Sequence, residues 1–99
     1  MAVKKTRTRS PAFIARVRNA LMQDLARAGI AAEVTVEPIR GTKLHRITVI
    51  AGKFAKLRFT ERQAVVWKII DQVLDKKDQL FISMVLTLTP SEASGESAA

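Results

Sequence analysis

Between Pro11 and Gly29 the apolar positions Ile14, Val17, Leu21, Leu25 and Ala28 recur at intervals of three and four. That spacing lays one apolar stripe along a helix. Ser10 is a good N-cap, Pro11 suits the first helical position, and Gly29 is a natural stop. Arg16, Gln23 and Arg27 fall on the opposite, wet face, with Arg18 and Asp24 near the edges. The period then changes to two. Val34 and Val36 alternate with Glu33, Thr35 and Glu37, the pattern of a half-buried strand that Pro38 weakens at its end. Arg40-Gly41-Thr42-Lys43 reads as a turn and Arg46–Ile50 as the return strand of a hairpin, with a break at Gly52. Lys53–Phe59 interleaves cations with Phe54, Leu57 and Phe59 and fits neither period. Thr60 and Gln63 have capping-box spacing at the head of a second helix. Its apolar face is Val66, Ile69, Ile70, Val73 and Leu74, with Trp67 on the flank and Lys68, Asp71 and Asp75 in water. Leu80–Thr89 closes the pattern as a strand with apolar residues in both alternating sets.

The predicted order is α-β-β-α-β. A short turn makes the hairpin antiparallel, and a right-handed crossover through the second helix returns the last strand parallel to the second. Both helices then cover one face of a three-stranded mixed sheet, a two-layer α+β domain. The expected boundaries are a basic disordered arm over residues 1–9, the domain over 10–89 and a disordered Ser/Ala/Glu/Gly tail over 90–99. Ile14, Leu21, Leu25, Val36, Ile47, Val49, Val66, Ile69, Val73 and Ile82 are the expected core.

Charge adds what the pattern does not. The 99 residues carry 17 Lys and Arg against 9 Asp and Glu, a net charge of +8. The excess is +6 over residues 1–29 and +4 over 30–60, then zero over 61–79 and −2 over 80–99. Such a chain is drawn to polyanions, and its N-terminal half should meet them. Candidate phosphate contacts are Lys4, Lys5, Arg7 and Arg9 on the arm and Arg16 and Arg27 on the first helix. Arg40, Lys43 and Arg46 about the hairpin and Lys53, Lys56 and Arg58 before the second helix complete the set. They would hold phosphate rather than read bases.

The absence of cysteine excludes disulfides, thiolate nucleophiles and thiolate-held metal, and the single His45 excludes a multi-histidine site. There is no nucleophile–base pair, paired-carboxylate signal, Walker loop or dinucleotide fingerprint, so the chain is read as a non-enzyme. No apolar run reaches membrane-spanning length and no signal peptide is visible, so a cytoplasmic protein without a membrane partner is expected.

From Lys53 the chain reads Lys-Phe-Ala-Lys-Leu-Arg-Phe-Thr-Glu-Arg-Gln-Ala-Val-Val-Trp. This resembles the BolA family's run of a basic residue, Phe, x, Gly and then Arg-His-Arg-x-x-aromatic at the start of its second helix. Phe54 matches the Phe, Arg62 the first Arg and Trp67 the aromatic. The resemblance implies the class II KH-like αββαβ fold and a small regulatory protein. Lys56, Gln63 and Ala64 stand where the family has Gly, His and the second Arg. The family also implies a [2Fe–2S] cluster shared with a monothiol glutaredoxin. The histidine before the family's last strand falls on Gln79, and only His45 can match the ligand position of the first hairpin. An amide is a poor ligand beside imidazole or thiolate, so no cofactor is expected, with His45 the one candidate metal ligand. Gly52 and Ala55 do not supply the Gly-x-x-Gly clamp of a KH domain.

Three functions follow. The first is a basic BolA-like regulatory protein binding DNA or RNA through phosphate. The second is an adaptor for a monothiol glutaredoxin in iron–sulfur or redox homeostasis. The third is an interaction module or homodimer that meets an acidic partner. Each prominent side chain also has a plain structural role: His45 as a strand-end residue, Phe54 and Phe59 as core rather than base-stacking groups, Trp67 as packing and Gln63 as a cap.

Overall fold

The computed structural model describes the backbone from Val3 to Gly95 and the side chains from Pro11 to Gly95. The elements are α1 (Val3–Arg27), β1 (Ala32–Pro38), β2 (His45–Ala51), a 3-10 turn (Gly52–Lys56), α2 (Phe59–Val73), a short α3 (Lys76–Gln79), β3 (Ile82–Leu88) and α4 (Pro90–Ser94). The sheet order is β1-β2-β3, with β1 antiparallel and β3 parallel to β2. The αββαβ core of the fold is therefore the expected two-layer α+β arrangement. No helix among the described residues is long and apolar enough to cross a membrane.

The stripe of α1 buries Phe13, Val17, Leu21 and Leu25, with Ile14 half-buried beside them and Ala28 exposed beyond the helix end. Gly29, at φ +83°, ends the helix. Its N–H donates to Ala26 O at 2.9 Å and that of Ile30 to Leu25 O at 2.8 Å. These two bonds form a Schellman cap, and the buried pair Leu25 and Ile30 supplies its apolar contact. The start of α1 differs from the Ser10–Pro11 signal: helical backbone reaches back to Val3 and Pro11 lies inside it. A cap is a local preference, whereas each residue added to an existing helix contributes a hydrogen bond. Pro11 withholds one such bond and its ring crowds the carbonyl one turn earlier, a local disturbance the helix spans. Residues 3–9 are thus helical in backbone rather than an unstructured arm, while Met1, Ala2 and the side chains of Lys4, Lys5, Arg7 and Arg9 lie outside the described residues.

The hairpin pairs Val34 with Val49 and Val36 with Ile47, which puts all four under the helices. In β3 the register slips: His45 pairs with Ile82 but Arg46 with Met84. One extra residue at this bulge exchanges the two faces of the strand. Val85 and Thr87 therefore point into the core, while Ile82 is only half-buried and Met84 is 45% exposed. This corrects Ile82 as core, and Val73 is likewise half-buried, its place taken by Ile70 and Leu74.

The second helix begins at Phe59, one residue before the expected Thr60 cap. Glu61 accepts the Arg58 N–H at 2.8 Å and so supplies the carboxylate half of a capping box. The chain after Thr89 is also more ordered than its composition suggests. Thr89 Oγ1 accepts the Glu92 N–H and Glu92 Oε1 accepts the Thr89 N–H, a reciprocal cap that starts α4 with Pro90 in its first turn. Residues 96–99 of the expected tail lie outside the described residues.

Candidate nucleic-acid interface

The predicted cations do not share one surface. Arg40 and Lys43 sit in the turn between β1 and β2, beside the start of β2. Lys53, Lys56 and Arg58 follow the end of β2. The six steps of β2 from His45 to Ala51, at ~3.3 Å each, set these groups about 20 Å apart.

At the hairpin end the ring of His45 is 5% exposed. It lies 4.8 Å from the Phe13 ring, tilted by 43°, and its Nδ1 is 3.2 Å from the Phe81 carbonyl. Phe81 meets Phe13 edge-on at 6.2 Å. His45 is thus a core residue at the strand end. Arg16 rests over the Phe13 ring and donates to Asp78 at 3.1 Å. Arg46 donates to Glu37 at 2.8 Å, across the two antiparallel strands. Arg40 and Lys43 are exposed and have no ion pair among the described residues.

At the opposite end Arg62 is the organiser. Its Nε donates to the carbonyls of Phe54 and Leu57, at 2.9 and 3.2 Å. Its Nη1 donates to Thr87 O at 3.2 Å and to Glu92 at 2.9 Å. The guanidinium also lies 5.8 Å from the Phe54 ring centroid. Phe54 is buried, so it fills the core and is out of reach of a base. Gln63 is not a cap: its amide nitrogen donates to Val85 O at 3.0 Å and to Thr87 Oγ1 at 3.3 Å, and its oxygen accepts the Trp67 indole N–H. Carbonyls of residues two apart on a strand point to the same side. Arg62 and Gln63 therefore take successive same-side carbonyls of β3, the outer strand of the sheet. This protects an edge that would otherwise invite another strand.

Glu92 gathers charge here as well. The Thr89 N–H first, then the Arg62 guanidinium, hold its carboxyl below the ordinary value of 4.5. Lys53 extends its ammonium over the end of α1, within 3.6 Å of where a Cβ on Gly29 would sit. A cation suits that helix terminus, which gives Lys53 a structural use alongside any phosphate contact.

Arg16, Arg27 and Arg46 are each in an exposed ion pair, Arg27 with Asp24 at 2.7 Å. Such pairs contribute little to stability, but the acidic partner offsets the positive charge a phosphate would feel. A cleft of about 540 Å³ between α1 and α2 holds Arg27 and Lys68 together with Asp24, so it is not a strongly cationic pocket. The exposed cations without an ion pair among the described residues are Arg18, Arg40, Lys43, Lys53, Lys56, Arg58, Lys68 and Lys77.

The donors do not fit an imidazole-held cluster. Gln79 lies two residues before Phe81, near His45, but its amide nitrogen donates to Asp71 at 3.0 Å and to Leu74 O at 3.1 Å. It ties the end of α2 to α3 and offers no soft ligand. Sequence reasoning missed Arg62 as an anchor and Phe59 as a surface residue, 64% exposed. By spacing Phe59 falls on the apolar face of α2, seven residues before Val66 and eleven before Ile70, so no local signal marked it as exposed.

A scan against protein-family models finds no match, and neither does a search of the curated proteins. Among solved structures the chain is similar to BolA1 from Arabidopsis thaliana, at 19% identity and a TM-score of 0.59. The match covers 81% of this chain and 94% of that one. The fold is BolA-like.

Proposed function

We propose that this chain is a regulatory protein of BolA-like fold that binds nucleic acid through its phosphates and does no chemistry on it. The observation that carries the reading is a set of exposed cations without an ion pair among the described residues, Arg18, Arg40, Lys43, Lys53, Lys56, Arg58, Lys68 and Lys77, on a chain of net charge +8. Their spread over both ends of the sheet suits a polyanion longer than one phosphate. No cofactor enters this reading. Binding of this kind is driven by counterion release, so it weakens steeply with salt and depends little on sequence.

The test is titration of labelled DNA and RNA at two salt concentrations, with the full chain and with a chain lacking residues 1–9. The full chain should bind both polymers, with log affinity falling linearly against log salt. The truncated chain should bind more weakly with a flatter slope, because Lys4, Lys5, Arg7 and Arg9 are gone. Failure of the full chain to bind either polymer at low salt overturns the reading.

A further inference from the structure

We infer that the segment Lys53–Phe59 is a platform for a single-stranded nucleic acid, with an unpaired base stacked on Phe59 and the neighbouring phosphates on Lys56 and Arg58. The inference rests on the nucleic-acid reading above and names its substrate. It starts from the different fates of two phenylalanines five residues apart. Phe54 is fully buried, whereas Phe59 is 64% exposed. Leaving a large aromatic ring in water forgoes the gain of burying it.

The surroundings of Phe59 decide what would cover it. Lys56 and Arg58 are exposed and lack ion pairs among the described residues, and Ala55 and Thr60 are small. Glu61 is the one acidic residue between Gly52 and Arg62, and one of its carboxylate oxygens accepts the Arg58 N–H. An isolated ring flanked by cations lacks the contiguous apolar patch of a protein-docking surface. It has the two elements of a single-strand site, a π-face for the base and positive charge for the backbone. A duplex hides the faces of its bases and could use only the charge.

The platform is also held rigid. Arg62 bonds the carbonyls of Phe54 and Leu57 and so fixes the chain on which Lys56 and Arg58 stand. Phe59 itself is the first residue of α2. Rigid placement lowers the ordering cost of binding.

The experiment measures anisotropy of a labelled single-stranded DNA, the matching single-stranded RNA and the DNA duplex, with the full chain, Phe59→Ala and Phe59→Trp. Circular dichroism checks the folding of each variant. Phe59→Ala should lower affinity for both single strands about tenfold, within the range of base–aromatic stacking, and change duplex affinity less than twofold. Phe59→Trp should restore single-strand binding. Unchanged single-strand affinity in Phe59→Ala, or equal losses on single strand and duplex, overturns the stacking inference while the phosphate-binding reading stands. Loss confined to one of the two single strands would support the platform and identify the polymer it takes. If the full chain binds none of the three probes, both readings fall.

Discussion

At the hairpin end of the sheet, the rings of Phe13, His45 and Phe81 close the core. At the other end one guanidinium, that of Arg62, gathers three carbonyls and a carboxylate. Both ends must stop water reaching the space between helices and sheet. The first does so with apolar area and uses the polar edge of one histidine against a carbonyl. The second must satisfy the carbonyl of Leu57, which stands between the 3-10 turn and α2, and it adds a donor to the carbonyls of Phe54, which already accepts the Leu57 N–H, and Thr87. A planar donor with several N–H groups meets that need in one side chain. The comparison teaches that a cation in a basic protein has no fixed meaning. Arg58 and Arg62 are four residues apart on the chain, yet one is exposed without an ion pair among the described residues and the other is 12% exposed and bonded through Nε and Nη1.

The largest expected effect breaks the aromatic end. Phe13→Ala removes a ring that is 4% exposed and contacts both His45 and Phe81. The cavity and lost transfer energy should cost ~3–5 kcal/mol, read by urea denaturation. A loss under about 1 kcal/mol would mean that the end is not closed by these rings.

How much of this difference the sequence carries is clear from particular residues. The stripe of Val17, Leu21 and Leu25, the stop at Gly29 and the hairpin of β1 and β2 are legible because each depends on neighbours a few positions away. The bulge at the start of β3 is not. Alternation reports a face only while the register is unbroken, and both sets in Leu80–Thr89 are apolar enough to be buried. The candidate interface divides in the same way. The inventory of cations is plain in the sequence, but Arg16 is tied to Asp78, 62 residues on, and only topology brings them together. Gln63 looks like a cap locally and proves to be a bridge to β3 for the same reason.

The next effect tests the polar end. Arg62→Ala leaves the carbonyls of Phe54, Leu57 and Thr87 without this donor. The Phe54 carbonyl keeps the Leu57 N–H, so at most two acceptors are left unsatisfied at ~1–3 kcal/mol each, and water entering the vacated space should recover part of it, for a net loss of about 2 kcal/mol. Arg62→Lys should recover little, since an ammonium cannot reproduce the planar fork. Equal stability of Arg62→Lys and the unaltered chain would show that charge alone, not the fork, holds this end.

The smallest effect separates the two ends by pH. Glu92 holds its proton less tightly when folded than when unfolded, chiefly through the Thr89 N–H and then Arg62. Unfolding in acid therefore takes up a proton, and acid favours the unfolded chain. The stabilisation from Glu92 is complete above its ordinary value of 4.5 and is lost as pH falls through the lowered folded value. Glu92→Gln removes this titration while keeping an oxygen to accept the Thr89 N–H. Denaturation midpoints of the unaltered chain and Glu92→Gln should differ at neutral pH and converge as pH is lowered below 4.5. Because the side chain is partly open to water, the difference should be smaller than for either variant above. The same comparison made in the Arg62→Ala background sharpens the point. The Arg62 share of the effect should vanish there, while the share from Thr89 persists. A gap that stays constant with pH would place the carboxylate outside the polar closure and leave Arg62 to hold that end with backbone carbonyls alone.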